Sequence, residues 1–196
     1  MADSLERQIE FVLEADKLKH ILRQTVLLDR SRRENDAEHS WHLTLMAVVL
    51  CEHAAEPDLD LLKVLKMLVI HDLVEIDAGD TFCYDEEARR DQAEREGRAA
   101  TRIFGLLPED QGRAIHALWE EFEHHETAEA RFAVAVDRAQ PLLHNLMTEG
   151  HAWRAHGVRL AQVLERNERI ADGAPGLWVY LRRLIDRAVD RGHLEA

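Results

Sequence analysis

The stretch LDLLKVLKMLVIHDLVEIDAGD, residues 59–80, limits what this chain can fold into more than any other. Leu61, Leu62, Val64, Leu65, Leu68, Val69 and Leu73 recur at helical spacing and cover most of a helix circumference, the pattern of a helix enclosed by others. Its far end carries His71, Asp72, Glu75, Asp77 and Asp80, with Gly79 as the stop signal. Neighbouring helical residues point about 100° apart, so His71 and Asp72 turn into a core only where something there takes both an imidazole and a carboxylate. An unpaired buried carboxylate costs several kcal/mol, and a divalent cation removes that cost by accepting both donor types.

The remaining pattern is helical as well. Residues 5–22 read as a first helix, followed by the polar connection DRSRREN. Asn35 or Asp36 caps a second helix, AEHSWHLTLMAVVLCEHA, with Glu38 in its first turn; Trp41 reads as core. Residues 84–98 alternate in charge and read as a solvated helix laced with i,i+4 pairs, placed to act as a lid. Pro108 opens a helix to about His125, Thr127 caps another to about Met147, and two more follow near 158–171 and 175–192. Neither strand-type alternation of useful length nor a linker or repeat appears. The expectation is an all-α helical bundle in which 1–196 is a single domain.

Charge and motif content narrow the function. With 25 basic and 38 acidic residues the formal charge is −13, which repels nucleic acid polymers and anionic membranes, so a phosphate ligand needs a local positive centre. The N-terminus lacks an apolar signal core and no run approaches the roughly 20 apolar residues of a membrane span, pointing to the cytoplasm. Cys51 and Cys83 stand in no metal-type or redox-type spacing and receive no role. Gly-rich phosphate loops, a Ser-His-Asp order and a Rossmann fingerprint are all missing from the sequence.

Two further residues fit a metal. Asp137 interrupts the apolar run RFAVAVDRAQPLL, where a charge is out of place by pattern, and Pro141 four positions later denies its carbonyl a hydrogen bond and predicts a kink. Taken alone, Asp137 is explained equally well by an ion pair with an arginine of another helix. His39, in the first turn of the second helix, taken alone reads as an ordinary histidine. His124 and His125 read as a surface helix end, and Glu121, Glu123 and Glu126 as surface charges.

The ordered set His39, His71-Asp72, Asp137 resembles the HD-domain metal-dependent phosphohydrolases. ENDAEHSWH and HDLVEIDAGD are similar to the branch that contains 5'-deoxynucleotidases and the HD-domain-containing protein 2 group, over about residues 18–148, with the C-terminal helices packed on that core. The resemblance implies that His39, His71, Asp72 and Asp137 hold one divalent metal ion, of the set manganese, cobalt, iron, nickel, zinc or magnesium. It implies catalytic roles for Glu75, which shares a helix face with Asp72, and for Asp80, and phosphate binding by Arg23. Where that branch commonly reads Arg-Thr-Gly-Trp, this chain reads Arg23-Gln24-Thr25-Val26, without an aromatic for sugar or base contact; Arg32 and Arg33 are alternative cations. The implied activity is phosphomonoester hydrolysis of nucleoside 5'-monophosphates, by a homodimer. Hydrolysis of a phosphodiester or a nucleotide polyphosphate at the same site, and a non-catalytic scaffold stapled by metal, are the competing readings.

Overall fold

A computed structural model describes residues 2–196. Helix α1 (Ala2–Ala15) passes through a 3₁₀ turn (Asp16–His20) into strand β1 (Leu22–Val26), which pairs antiparallel with β2 (Arg33–Asn35). Then come α2 (Asp36–Leu50), α3 (Leu61–Ile70), a 3₁₀ turn (His71–Val74) and the short α4 (Glu75–Ala78). The chain continues with α5 (Gln92–Phe104), α6 (Glu109–His124), α7 (Ala128–Met147), α8 (His151–His156), α9 (Leu160–Asn167), α10 (Ile170–Gly173) and α11 (Pro175–Asp190). The fold is the expected helical bundle, with one small hairpin added.

That hairpin corrects the first helix, which stops well short of residue 22. Ile21, Thr25 and Val26 are β-branched and favour extended backbone, and β2 is too short for an alternation to register in the sequence. The side chain of Arg33 ties the hairpin by donating to the carbonyls of Arg23 and Leu22. Arg23 therefore projects from a strand instead of a helix end.

The capping signals hold. Asn35 accepts from the Glu38 amide while the Glu38 carboxylate accepts from the Asn35 amide, a complete capping box. Thr127 caps α7 through the Ala130 amide, and Gly79 takes φ +75 where the acidic turn ends. Helix α7 is assigned unbroken through Pro141.

Side-chain placement brings other corrections. The helix expected over 59–76 is three pieces, and Leu62 and Val69 are exposed. Trp41, read as core, is 67% exposed, because the buried face of α2 is fixed by His39, Leu43, Met46 and Ala47, and a residue two positions from His39 points away. Of the charged stretch 84–98, only the part from Gln92 is helical; the i,i+4 pairs Asp91–Arg95 and Glu94–Arg98 form, but Glu96, Ala99, Ala100, Ile103 and Phe104 are buried, so α5 is a packed wall. The helix expected near 158–171 is broken into α9 and α10.

Two apolar clusters meet behind the acidic turn. The larger gathers Leu43, Met67, Leu68, Phe132 and Val136 with the C-terminal helices; the smaller gathers Leu18, Ile70, Leu73, Val74, Ile103 and Phe104. Each large side chain so buried contributes about 1.5–3 kcal/mol. Ile70 and Leu73 lie in one cluster and Leu68 in the other, so His71 and Asp72 emerge at the seam.

Helix α7 runs along this seam, and α10 backs it at a close approach of backbones. A Cβ on Gly173 would lie 2.1 Å from the Arg131 carbonyl oxygen and 2.8 Å from the Phe132 Cα. Gly173→Ala is expected to cost about 1–3 kcal/mol, read as a lowered midpoint in thermal denaturation.

Candidate metal centre

The polar end of the core helix owes its geometry to a change of helix type. From His71 to Val74 the backbone tightens to 3₁₀, in which residues three apart eclipse one another. Asp72 and Glu75 therefore point the same way, and their carboxylates meet that of Asp36, with ligand atoms of all three within 4.8 Å of one another. All three residues are buried.

Beside this trio the second group converges. One donor atom each from His39, His71 and Asp137 falls within 4.8 Å of the others. His39 Nε2 lies 3.0 Å from Asp137 Oδ1, and His71 Nε2 lies 3.1 Å from Asp72 Oδ1 and 3.7 Å from Asp137 Oδ1. Asp72 joins the two groups: its Oδ2 accepts from Arg23 at 3.0 Å and stands 3.9 Å from His39 Nε2.

The opposite edge of each ring decides which nitrogen is free. His71 Nδ1 is 3.0 Å from the Leu68 carbonyl, an acceptor only, so the proton sits on Nδ1. His39 Nδ1 is 3.1 Å from Gln140 Oε1, and the orientation of that amide is fixed in turn by Glu34, whose carboxylate accepts from Gln140 Nε2 at 2.6 Å. Both rings thus present Nε2 inward toward carboxylate oxygens. In the neutral rings these are two lone pairs facing anionic oxygens, and His71 Nε2 has no hydrogen-bond partner.

The electrostatics show what the cluster lacks. Burial disfavours charge on His71, yet Asp72 and Asp137 hold its pKa up at about 9. Burial, with Arg23, pushes His39 down to about 4. Burial pushes Asp137 up, but the adjacent His39 and His71 imidazoles hold it well below the usual carboxylate range. Glu75 is raised well above its ordinary value by burial and by the Asp72 carboxylate, and its Oε2 is unpartnered. Two imidazole nitrogens and two carboxylates with this orientation match the donor set of a divalent transition ion, so the residues present fit a metal.

The cluster forms one wall of a cavity of about 440 Å³, within the size range of metabolite sites. Arg23, His71, Asp72, Glu75, Asp80 and Asp137 all line it. Asp80, beyond Gly79, is partly buried, and burial raises its pKa to about 6. His39 is fully buried behind that wall. Arg32 and Arg33 do not face the cavity: Arg32 pairs with Glu38, and Arg33 holds the hairpin. Glu123 and His125, read as surface residues, stand at the cavity rim, while Glu121 pairs with Lys63 at 2.6 Å. The expected lid segment supplies Tyr84, Arg89, Gln92 and Glu96 to the lining, and Phe82 joins them from just before it.

Sequence reasoning missed three residues. Asp36 was weighed only as a cap, although its carboxylate is wholly buried and accepts from Arg23 at 3.2 Å. Glu34 and Gln140 carried no signal beyond their types. Polar residues beside an apolar pattern, in ENDAEH and DRAQPLL, are the trace that marks them.

Comparison with known proteins agrees with this geometry. A family model described as HD domain matches residues 15–178, farther toward the C-terminus than the motifs alone reach. The chain belongs to the HD-domain family. The 5'-deoxynucleotidase HDDC2 of Homo sapiens is 28% identical over 136 residues, 69% of this chain and 65% of that protein, so the chain spans just under two thirds of the curated relative's length. Among solved structures, one from Magnetospirillum magnetotacticum, described as a predicted metal-dependent phosphohydrolase, is 55% identical with a TM-score of 0.95 and covers 99% of this chain and 97% of that one. A conserved hypothetical protein from Pyrococcus furiosus, 23% identical with a TM-score of 0.62 over 92% of this chain and 98% of its own, shares the fold.

The Glu34–Gln140–His39 chain makes a prediction. Gln140→Met removes the acceptor that holds the His39 proton on Nδ1, and is expected to weaken manganese binding roughly 10–100-fold, measured by titration calorimetry on folded protein.

Proposed function

We propose that this protein is a metal-dependent phosphohydrolase, and that it cleaves phosphomonoesters of the nucleoside 5'-monophosphate class. The observation that carries this reading is the pair of inward-facing Nε2 atoms, both set opposite carboxylate oxygens, with His71 on the wall of a metabolite-sized polar cavity and His39 buried behind it. In this reading His39, His71, Asp72 and Asp137 hold one divalent ion. Such an ion supplies Lewis acidity to a phosphoryl oxygen and acidifies water.

The chain's own residues then divide the remaining work. Hydrolysis requires a water to lose a proton and the leaving oxygen to gain one, and Glu75 and Asp80, among the carboxyl groups that line the cavity, are assigned here to exchange them. Burial raises the pKa of both, that of Asp80 to about 6. Arg23, clamped by Asp36 and Asp72, sets the position of the Asp72 carboxylate and offers its remaining donors to substrate. The name of a 28% identical relative, a 5'-deoxynucleotidase, supports the nucleotide class. Phe82 and Tyr84, packed edge to face with centroids 5.4 Å apart, give the cavity an aromatic side for a base or sugar that the Arg23–Val26 stretch does not supply.

Among the described residues no helix is long and apolar enough to cross a membrane. We place the protein in the cytoplasm, where its two free cysteines suit a reducing compartment. A homodimer has a surface to form on, since Trp41, Leu45, Val48 and Val49 lie exposed along α2. Leu45→Glu is expected to shift sedimentation toward the monomer.

The defining experiment measures phosphate release from ribo- and deoxynucleoside monophosphates with manganese or cobalt. Release is expected, to vanish on chelation and return with metal. Glu75→Gln is expected to lower kcat about 10²–10⁴-fold while manganese still binds. Absence of release with metal bound would refute the phosphomonoesterase, and organic fragments or pyrophosphate as products would reassign it to a diester or polyphosphate.

A further inference from the structure

The cavity lining carries both signs of charge. Asp72, Glu75, Asp80 and Glu96 are among its acids, and α7 and α9 contribute Arg138 and Arg166. Adjacent positions on α7 diverge by about 100°, which sends Asp137 toward the histidines and Arg138 toward α9. Arg138 Nη1 donates to the Arg166 backbone carbonyl at 2.5 Å, which fixes one guanidinium edge and joins the two helices.

Neither Arg138 nor Arg166 forms a salt bridge within the described residues, although acids exceed bases by 13 in the whole chain. Of the other arginines that line the cavity, Arg23 has Asp36 and Asp72, and Arg89, which has no carboxylate partner either, is exposed. Arg169, itself beside His125, adds to the positive field. Partly buried cations left without a carboxylate are costly, and an anion from outside the chain relieves that cost.

The other polar groups nearby are already used. Asn145 donates to the Pro141 carbonyl and accepts from the Ala152 amide, and Asn167 donates to the Val163 carbonyl. Arg23 divides Nη1 between two carboxylates. The partly buried cations of the cavity that have no carboxylate are therefore Arg138 and Arg166, on α7 and α9.

We propose that Arg138 and Arg166 form the oxyanion-binding wall of this cavity, and that their two charges favour the dianionic phosphate of a monoester over the monoanion of a diester. The proposal rests on the phosphohydrolase reading for its choice of substrate, but its binding half stands without turnover. The guanidinium fork matches phosphate oxygens in a way a lysine does not.

The test is calorimetric titration of manganese-loaded protein with inorganic phosphate. Wild type is expected to bind, Arg166→Gln to bind about 10- to 100-fold more weakly, and Arg166→Lys to fall between, with manganese affinity and thermal midpoint unchanged. In turnover, Arg166→Gln is expected to raise KM for an aryl phosphate more than it lowers kcat, and to narrow the preference for p-nitrophenyl phosphate over bis(p-nitrophenyl) phosphate. Phosphate binding that is absent in wild type, or unchanged in both Arg166→Gln and Arg138→Gln, overturns the proposal. Arginine-dependent phosphate binding without any hydrolysis would sustain the wall and refute the enzyme.

Discussion

The structure depends on the accommodation of buried charge where two apolar clusters meet. His39, His71, Asp72, Asp36 and Glu75 are all removed from water at that seam, each at a cost that packing alone does not offset. Arg23 answers part of it from β1, by bridging Asp36 and Asp72. The outer ring edges are answered by the Leu68 carbonyl and by Gln140. What stays unanswered is the inner edge of each imidazole, and the helices, the hairpin and the Glu34–Gln140 pair all serve to aim those edges at carboxylates.

Much of this was legible in residue order. A charge inside FAVAVD and a histidine-aspartate pair at the end of an apolar helix are violations of pattern, and violations concentrate at working sites. Caps at Asn35 and Thr127 and the stop at Gly79 were readable because single side chains or a single φ decide them. The hairpin was not readable, since its second strand is too short to show alternation. Nor was the tightening at His71–Val74, because 3₁₀ and α spacing differ by a fraction of a residue per turn. The exposure of Trp41 and the roles of Asp36, Glu34 and Gln140 depend on which face of a helix meets which neighbour, a tertiary matter that one chain's pattern leaves open.

Charge in this protein acts locally. An excess of 13 acids over bases sets a repulsive far field, yet the cavity lining sets arginines among its carboxylates. Helix geometry divides neighbours on α7: one step along it separates a group that meets imidazoles from one that meets α9.

The contacts that complete the site have long reach along the chain. His39 meets Asp137 across 98 residues, Glu34 meets Gln140 across 106, and His144 meets the Val26 carbonyl across 118. Closing such loops costs chain entropy that only packing returns, so pairings of this span complete late in folding. The helices bring their own local order, whereas the constellation exists only once α7 has docked against both the hairpin and α2. A partly folded chain therefore carries the helices of this protein without its chemistry, and a buried histidine pair reports that the last long-range docking has been made.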